Sequence, residues 1–188
     1  QASNVWQTGI YNNIDKYIKA TPYNVAANET MEVWVITPAF TVSTANKFTF
    51  DCAGANWQAD MTLKVFFLQK DANGVVTKNE VTVAQIPTSG TNFEWVRDIN
   101  VDLSSYNGKV GFIGFQYAVV STGVNKNLPT YQIDNVKYVG GGGETPGTES
   151  VIFTETFGET LSTGSTEKFA IADFEEWTNG VGLVFSTT

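Results

Sequence analysis

The chain has 188 residues, of which 42% are hydrophobic, 13% aromatic and 16% charged, and its formal net charge is −8. It contains no histidine and one cysteine, which excludes imidazole acid–base chemistry, Ser-His-Asp and Cys-His nucleophile systems, nearly all zinc and copper sites, and an internal disulfide framework. So small a charged fraction argues against a coiled coil or a disordered tail, and no apolar run reaches the ~18 residues of a membrane span. Residues 1–139 are nearly neutral at −1, whereas residues 140–188 hold one lysine and eight acids. No basic patch exists to track phosphates, so neither nucleic acid nor an anionic membrane surface is an expected partner. Gln1 opens with no basic n-region or apolar h-region, so no secretory leader is read within the sequence.

The elements read in chain order are almost all strands. Residues Asn13–Lys19 suit a single helical turn. Met31–Thr37 and Lys47–Cys52 are rich in β-branched and aromatic residues and predict strands. Met61–Leu68 and Val75–Val83 flank Lys70-Asp71-Ala72-Asn73-Gly74, whose Asn-Gly accepts the positive φ of a tight turn, so the pair predicts a hairpin. Phe93–Val101 alternates over part of its length. Val110–Val120 predicts a long strand in which Gly111 and Gly114 mark a bulge or a close backbone approach. Tyr131–Val139 closes this block. No window carries a sustained 3.6-residue period, and regularly spaced strands without helices predict a two-sheet sandwich.

The run 140–150 holds four consecutive glycines and reads as a flexible linker, because each glycine loses the most backbone entropy on ordering. A β-sandwich domain is therefore expected to cover 1–139. Beyond the linker, Val151–Phe157, Lys168–Phe174 and Val181–Phe185 are candidate strands. Residues 151–188 are few for an independent domain.

Three groups of side chains could carry chemistry. Trp57 sits in the small, polar stretch Ala53–Asp60 between two strands, and a flat indole on a loop suits the apolar face of a sugar ring. Asn56, Gln58, Asn24 and Asn28 could supply amide hydrogen bonds, and Trp6, Tyr11, Tyr23, Trp95 and Trp177 are further aromatic candidates. Asparagine is equally a turn former, and Trp34 and Trp95 are expected in the core, Trp95 sharing a face with Phe93. Glu94 and Asp98, four apart, could be neighbours on one strand face, and Glu175-Glu176 are adjacent. A glycosidase needs two carboxylates about 5–10 Å apart across a cleft, but no convergent catalytic set can be named, so the chain is not expected to be an enzyme. Cys52 reads as a small buried hydrophobe, since no activating base accompanies it. Asp71-Ala72-Asn73-Gly74 is a turn and lacks the remaining ligands of a calcium loop.

Four segments carry a resemblance. Asn28-Glu29 with Val33-Trp34-Val35-Ile36-Thr37-Pro38-Ala39, then Val101-Asp102-Leu103-Ser104-Ser105-Tyr106-Asn107-Gly108-Lys109, then Phe112–Tyr117, then Ile133-Asp134-Asn135-Val136, resemble in order the motifs of choice-of-anchor J domains. This MAM-like family has a jelly-roll fold and occurs on surface proteins of Bacteroidota. The family places an acid directly before the tryptophan, whereas here Glu32-Val33 precede Trp34. Its opening motif is similar to Phe153-Thr154-Glu155-Thr156-Phe157-Gly158, which here follows the closing motif. Residues 151–188 thus resemble the opening strands of a jelly roll and 1–139 the remainder. The C-terminal segment could complete 1–139 within the chain, exchange with another copy, or begin a second domain.

The resemblance implies an all-β jelly-roll β-sandwich of two antiparallel sheets, secreted or at the cell surface. It further implies a non-catalytic glycan-binding or adhesion module whose partner is a polysaccharide or glycoprotein glycan. The alternative is a structural spacer or protein–protein interaction domain in a tandem array. In related jelly rolls the opening-strand acid meets the closing-motif aspartate at a calcium site, which implies Glu155 and Asp134 as metal ligands. Calcium takes six to eight oxygens.

Overall fold

The computed structural model describes residues 6–11, 15–141, 149–155 and 181–184. Twelve strands follow in chain order: β1 (Gln7–Tyr11), β2 (Asp15–Ala20), β3 (Thr30–Ile36), β4 (Phe40–Thr41), β5 (Lys47–Ala55), β6 (Thr62–Lys70), β7 (Val76–Val81), β8 (Val96–Val101), β9 (Val110–Val120), β10 (Thr130–Gly141), β11 (Glu149–Glu155) and β12 (Val181–Val184). The one helical element among the described residues is a 3₁₀ turn at Ser104–Tyr106, and no helix among them is long and apolar enough to cross a membrane.

The strands form two sheets, β1-β2-β10-β5-β8 with β11 alongside β10, and β12-β3-β9-β6-β7 with β4 alongside β9. The pairs β2·β10, β3·β9, β5·β8 and β6·β7 nest from the outside of the chain inwards and fall alternately on the two sheets. A long hairpin wrapped around a barrel axis gives this order, and it is that of a jelly-roll sandwich. All pairings are antiparallel except β12, which lies parallel to β3.

Period-two alternation builds the core. Ile18, Phe48, Phe50, Cys52, Ile99, Ile133, Val136 and Tyr138 of one sheet face Met31, Val33, Val35, Val65, Phe67, Ile113, Phe115 and Tyr117 of the other. Each large side chain so buried contributes about 1.5–3 kcal/mol. Tyr138 also ties down the β4–β5 turn: its hydroxyl donates to the Thr41 carbonyl at 2.8 Å and accepts from Asn46 Nδ2 at 2.8 Å.

Two local expectations, the helical turn and the glycine linker, are corrected, and two others, the burial of Trp34 and the roles of Gly111 and Gly114, are made specific. The helical turn expected at Asn13–Lys19 gives way to β2, because Ile18 and Ala20 point into the core while Tyr17 and Lys19 alternate with them. Trp34 is buried but lies on the outer face of its sheet, across Gly114 and against Phe66, with Lys78 Nζ 4.9 Å from the ring centroid. Gly114 and Gly111 are close approaches and not bulges: β9 pairs without interruption, and a Cβ at Gly111 would strike the Phe67 ring. The glycine run begins as strand, since β10 continues to Gly141 and pairs Gly140 with Ser150 and Gly141 with Glu149. Backbone hydrogen bonds to β11 there offset the entropy each glycine loses.

β2 pairs with β10 only over Tyr131–Ile133, and β11 takes the same edge over Val136–Gly141. The strand expected at Lys168–Phe174 lies outside the described residues.

Candidate functional site

Strand register brings four connections to one end of the sandwich. Ala20 at the end of β2 lies beside Tyr131, Ala55 at the end of β5 beside Thr130, and Thr30 beside Val120. The connections β2–β3 (21–29), β5–β6 (56–61), β7–β8 (82–95) and β9–β10 (121–129) therefore meet. Asparagine side chains lace them together. The Asn24 N–H donates to Asn125 Oδ1 at 2.9 Å and Asn125 Nδ2 returns to Asn24 Oδ1 at 3.0 Å. The Asn56 N–H donates to Asn92 Oδ1 at 2.9 Å, and Asn56 Nδ2 to the Leu128 carbonyl at 2.9 Å. Asn24, Asn56 and Asn127 hold φ of 62°, 53° and 52°, a left-handed conformation asparagine tolerates better than most residues.

This end collects Asn56, Trp57, Gln58 and Tyr23 of the expected ligand set. Tyr23 is 51% exposed. Trp57 is half-buried: its Nε1 donates to the Gly90 carbonyl at 2.9 Å, and its ring lies over Gly54, edge-on to Tyr131 at 5.9 Å. The Gln58 side-chain amide makes no hydrogen bond among the described residues, whereas both polar atoms of the Asn56 amide are used in bracing the loops.

Trp6 is corrected from a surface contact to a core residue. It is 0% exposed and edge-on to Tyr117 at 6.4 Å, and its Nε1 is buried with no hydrogen-bond partner among the described residues. Trp6, Tyr117, Tyr131 and Trp57 form a ladder of edge contacts rising from the core to the loops. The Tyr117 and Tyr131 hydroxyls donate to the Pro129 and Pro87 carbonyls at 2.9 and 2.8 Å, which anchors two loops on the ladder. Burial pushes both phenols above their ordinary range, and likewise the Cys52 thiol.

Sequence reasoning missed Phe93. Expected inside a strand beside Trp95, it stands in the turn before β8, 50% exposed, at φ 63°. Its N–H donates to the Gly54 carbonyl at 2.8 Å, which fixes the strained backbone. A bulky residue in the left-handed region is an outlier, and such strain concentrates at functional positions. The preceding Ser89-Gly90-Thr91-Asn92 was the available turn signal. Trp95 packs on the outer face of its sheet, edge-on to Tyr17 at 5.8 Å with the Arg97 guanidinium 4.9 Å from its centroid. Tyr11, 64% exposed, stands at the opposite end, since Tyr11 pairs with Asp15 at the start of β2. Trp177 and Glu175-Glu176 lie outside the described residues.

Glu94 precedes β8 and Asp98 sits in a bulge at φ 52°, so strand alternation does not relate the two carboxylates. For calcium, Asp134 and its cross-strand partner Asp51 are buried on the outer face of one sheet. Asp134 Oδ1 accepts from the Asn135 N–H at 2.7 Å. Asp51 accepts from Arg97 Nη1, the Asp98 N–H and Asn135 Nδ2 at 2.7, 2.8 and 2.7 Å. These N–H donors and a guanidinium occupy oxygens that a cation would need. Asp51 and Asp134 are thus already engaged by donors within the protein, and among the described residues no group of three or more His, Cys, Asp or Glu is placed to hold a metal. Glu155 stands at the register position opposite Val136, and its side chain lies outside the described residues.

Comparison with protein-family models and with curated proteins gives no match.

Proposed function

We propose that the chain is a non-catalytic, extracellular glycan-binding or adhesion module of a bacterial surface protein, and that the four-loop end is its contact surface. The observation that carries this reading is the display of Tyr23 and Phe93, about half exposed each, on loops braced by asparagine amides and the aromatic ladder. Aromatic faces beside fixed amides suit sugar rings, which present apolar faces and hydroxyls together. Bracing supplies preorganisation, which lowers the entropy lost on binding. A glycan array tests it, with Tyr23→Ala at the loop end and Tyr11→Ala at the opposite end. Binding lost in the first and kept in the second supports the reading, and equal loss or no binding by the unaltered chain overturns it.

The parallel pairing of β12 on β3, four residues long, favours a second reading as a tandem-array or strand-exchange module, because a short edge strand is one a second copy could supply. Solution mass across a concentration series tests it, and a single monomeric mass at every concentration removes exchange between copies.

A further inference from the structure

We infer that the loop end selects uncharged glycan chains over uronate-bearing ones, with Phe93 as one of its platforms; the inference rests on the glycan-binding reading above. The charged groups on the four connections are Glu29, Asp60, Glu94 and Lys126. Asp60 Oδ2 already accepts from the Val120 N–H at 2.8 Å. Acids thus outnumber the single lysine, and no arginine is present on these loops. Carboxylate recognition uses arginine forks or clustered lysines, which pair with the anion bidentately or as point charges. This surface offers an acidic bias instead, which repels a polyanion and leaves a neutral chain unaffected.

Its polar equipment suits hydroxyls. Asn24, Asn56, Asn92 and Asn125 are spent on bracing, while the Gln58 and Asn127 side-chain amides make no hydrogen bond among the described residues. An amide both donates and accepts, as a sugar hydroxyl does. Between the Asn24–Asn125 clamp next to Tyr23 and the Asn56–Asn92 clamp next to Phe93, the β9–β10 connection forms a bridge, since Asn56 also holds the Leu128 carbonyl. Two exposed rings on either side of an amide-bearing bridge give a surface for a chain of sugars. The left-handed backbone of Phe93 costs conformational energy that glycine or asparagine would avoid, yet the position carries a large ring turned half into solvent.

The test is affinity electrophoresis of the full chain in gels containing laminarin, xyloglucan or galactomannan, against polygalacturonate and alginate, at low and high salt. The expected result is retardation by at least one neutral polymer, unchanged by salt, and none by the polyanions. Phe93→Asn, which keeps a residue tolerant of the backbone, should weaken that retardation about tenfold while melting at the same temperature or higher, and Phe93→Tyr should retain it. Retardation by the polyanions that fades at high salt overturns the inference while leaving glycan binding standing. Undiminished binding by Phe93→Asn removes Phe93 as a platform. Binding to no polymer here and to no glycan on an array overturns the glycan reading and this inference with it.

Discussion

Asn135 Nδ2 donates to Asp51 Oδ2 at 2.7 Å from a residue held at φ 48°, inside a bulge on β10. A second bulge on β8 faces the same aspartate from the other side, where the Asp98 N–H donates to Asp51 Oδ1 at 2.8 Å. One carboxylate therefore terminates donors that two irregular strands would otherwise leave unpaired. Asp51→Ala should cost about 3 kcal/mol, because several charge-assisted bonds are lost and buried donors are left unpaired. Arg97→Ala should cost about 1 kcal/mol, since its side chain is half exposed and screened by water. Urea unfolding of the two variants checks the order, and equal costs would refute the hub role of Asp51.

Trp57 and Gly54 are coupled. A Cβ at position 54 would collide with Cη2 and Cζ3 of the indole, so Gly54→Ala must displace Trp57 and should cost about 1–3 kcal/mol through overpacking. Trp57→Ala should itself cost about 2 kcal/mol, because the half-buried ring packs on Tyr131 and its N–H bond to the Gly90 carbonyl is lost. In the Trp57→Ala background, Gly54→Ala should be nearly neutral. A double-mutant cycle measures this coupling, and additive costs would show that the ring lies elsewhere. The tryptophan that sequence singles out as a surface contact therefore also supports the loop end.

Phe93→Asn should raise stability by about 1 kcal/mol, the cost of holding a bulky L-residue in the left-handed region. Thermal unfolding checks it. Loss of stability would show that the ring packs on the protein more than its half-exposed position indicates.

Much of the fold was legible because period-two alternation states which face each strand buries. The alternation of Val110–Val120 sets the same bounds as the strand in the structure, and the jelly-roll order accords with the strands the sequence predicts. Alternation fails where a strand is bulged or where both faces are covered. Phe93–Val101 reads locally as one strand, but the turn takes in Phe93, β8 begins only at Val96, and the Asp98 bulge reverses the pattern. Trp34 is apolar and buried like a core residue, and only the pairing of β3 with β9 shows that it faces outward, over Gly114. At the candidate site, residue types pointed to Trp57 and its neighbours. That Tyr23 joins them while Trp6 does not follows from long-range register, which no local window contains.

Alkaline pH should destabilise the protein through Tyr117 and Tyr131. Burial raises both phenol pKa values in the folded state, and the proximity of Tyr131 and Asp60 adds to the effect at Tyr117, that of Cys52 at Tyr131. A folded state that holds its proton more tightly than the unfolded chain is fully stabilised below the unfolded value. That contribution is lost as pH rises past about 10, where the unfolded phenols ionise. Unfolding free energy should be flat in this respect to about pH 9 and fall above pH 10, with tyrosinate absorbance appearing in two phases, exposed residues first. Simultaneous ionisation of all tyrosines in the native protein would contradict the burial argument.

Removing the residues after Gly141 should destabilise the sandwich. Six positions of β10, from Val136 to Gly141, pair with β11 and with no part of β2. Without β11 this stretch becomes a free edge beside the buried side chains of Val136 and Tyr138. Exposed backbone donors and acceptors in an edge template pairing with other chains, so aggregation should accompany the loss. A net hydrogen bond contributes about 0.5–1.5 kcal/mol. Part of that is offset by the entropy of ordering the segment, which leaves an expected loss on the order of 2 kcal/mol and a melting temperature lower by about 5 °C. Parallel size-exclusion and thermal melts of the truncated and full chains measure both effects. A truncated chain that is monomeric and equally stable would show that β11 adds nothing to the edge it occupies.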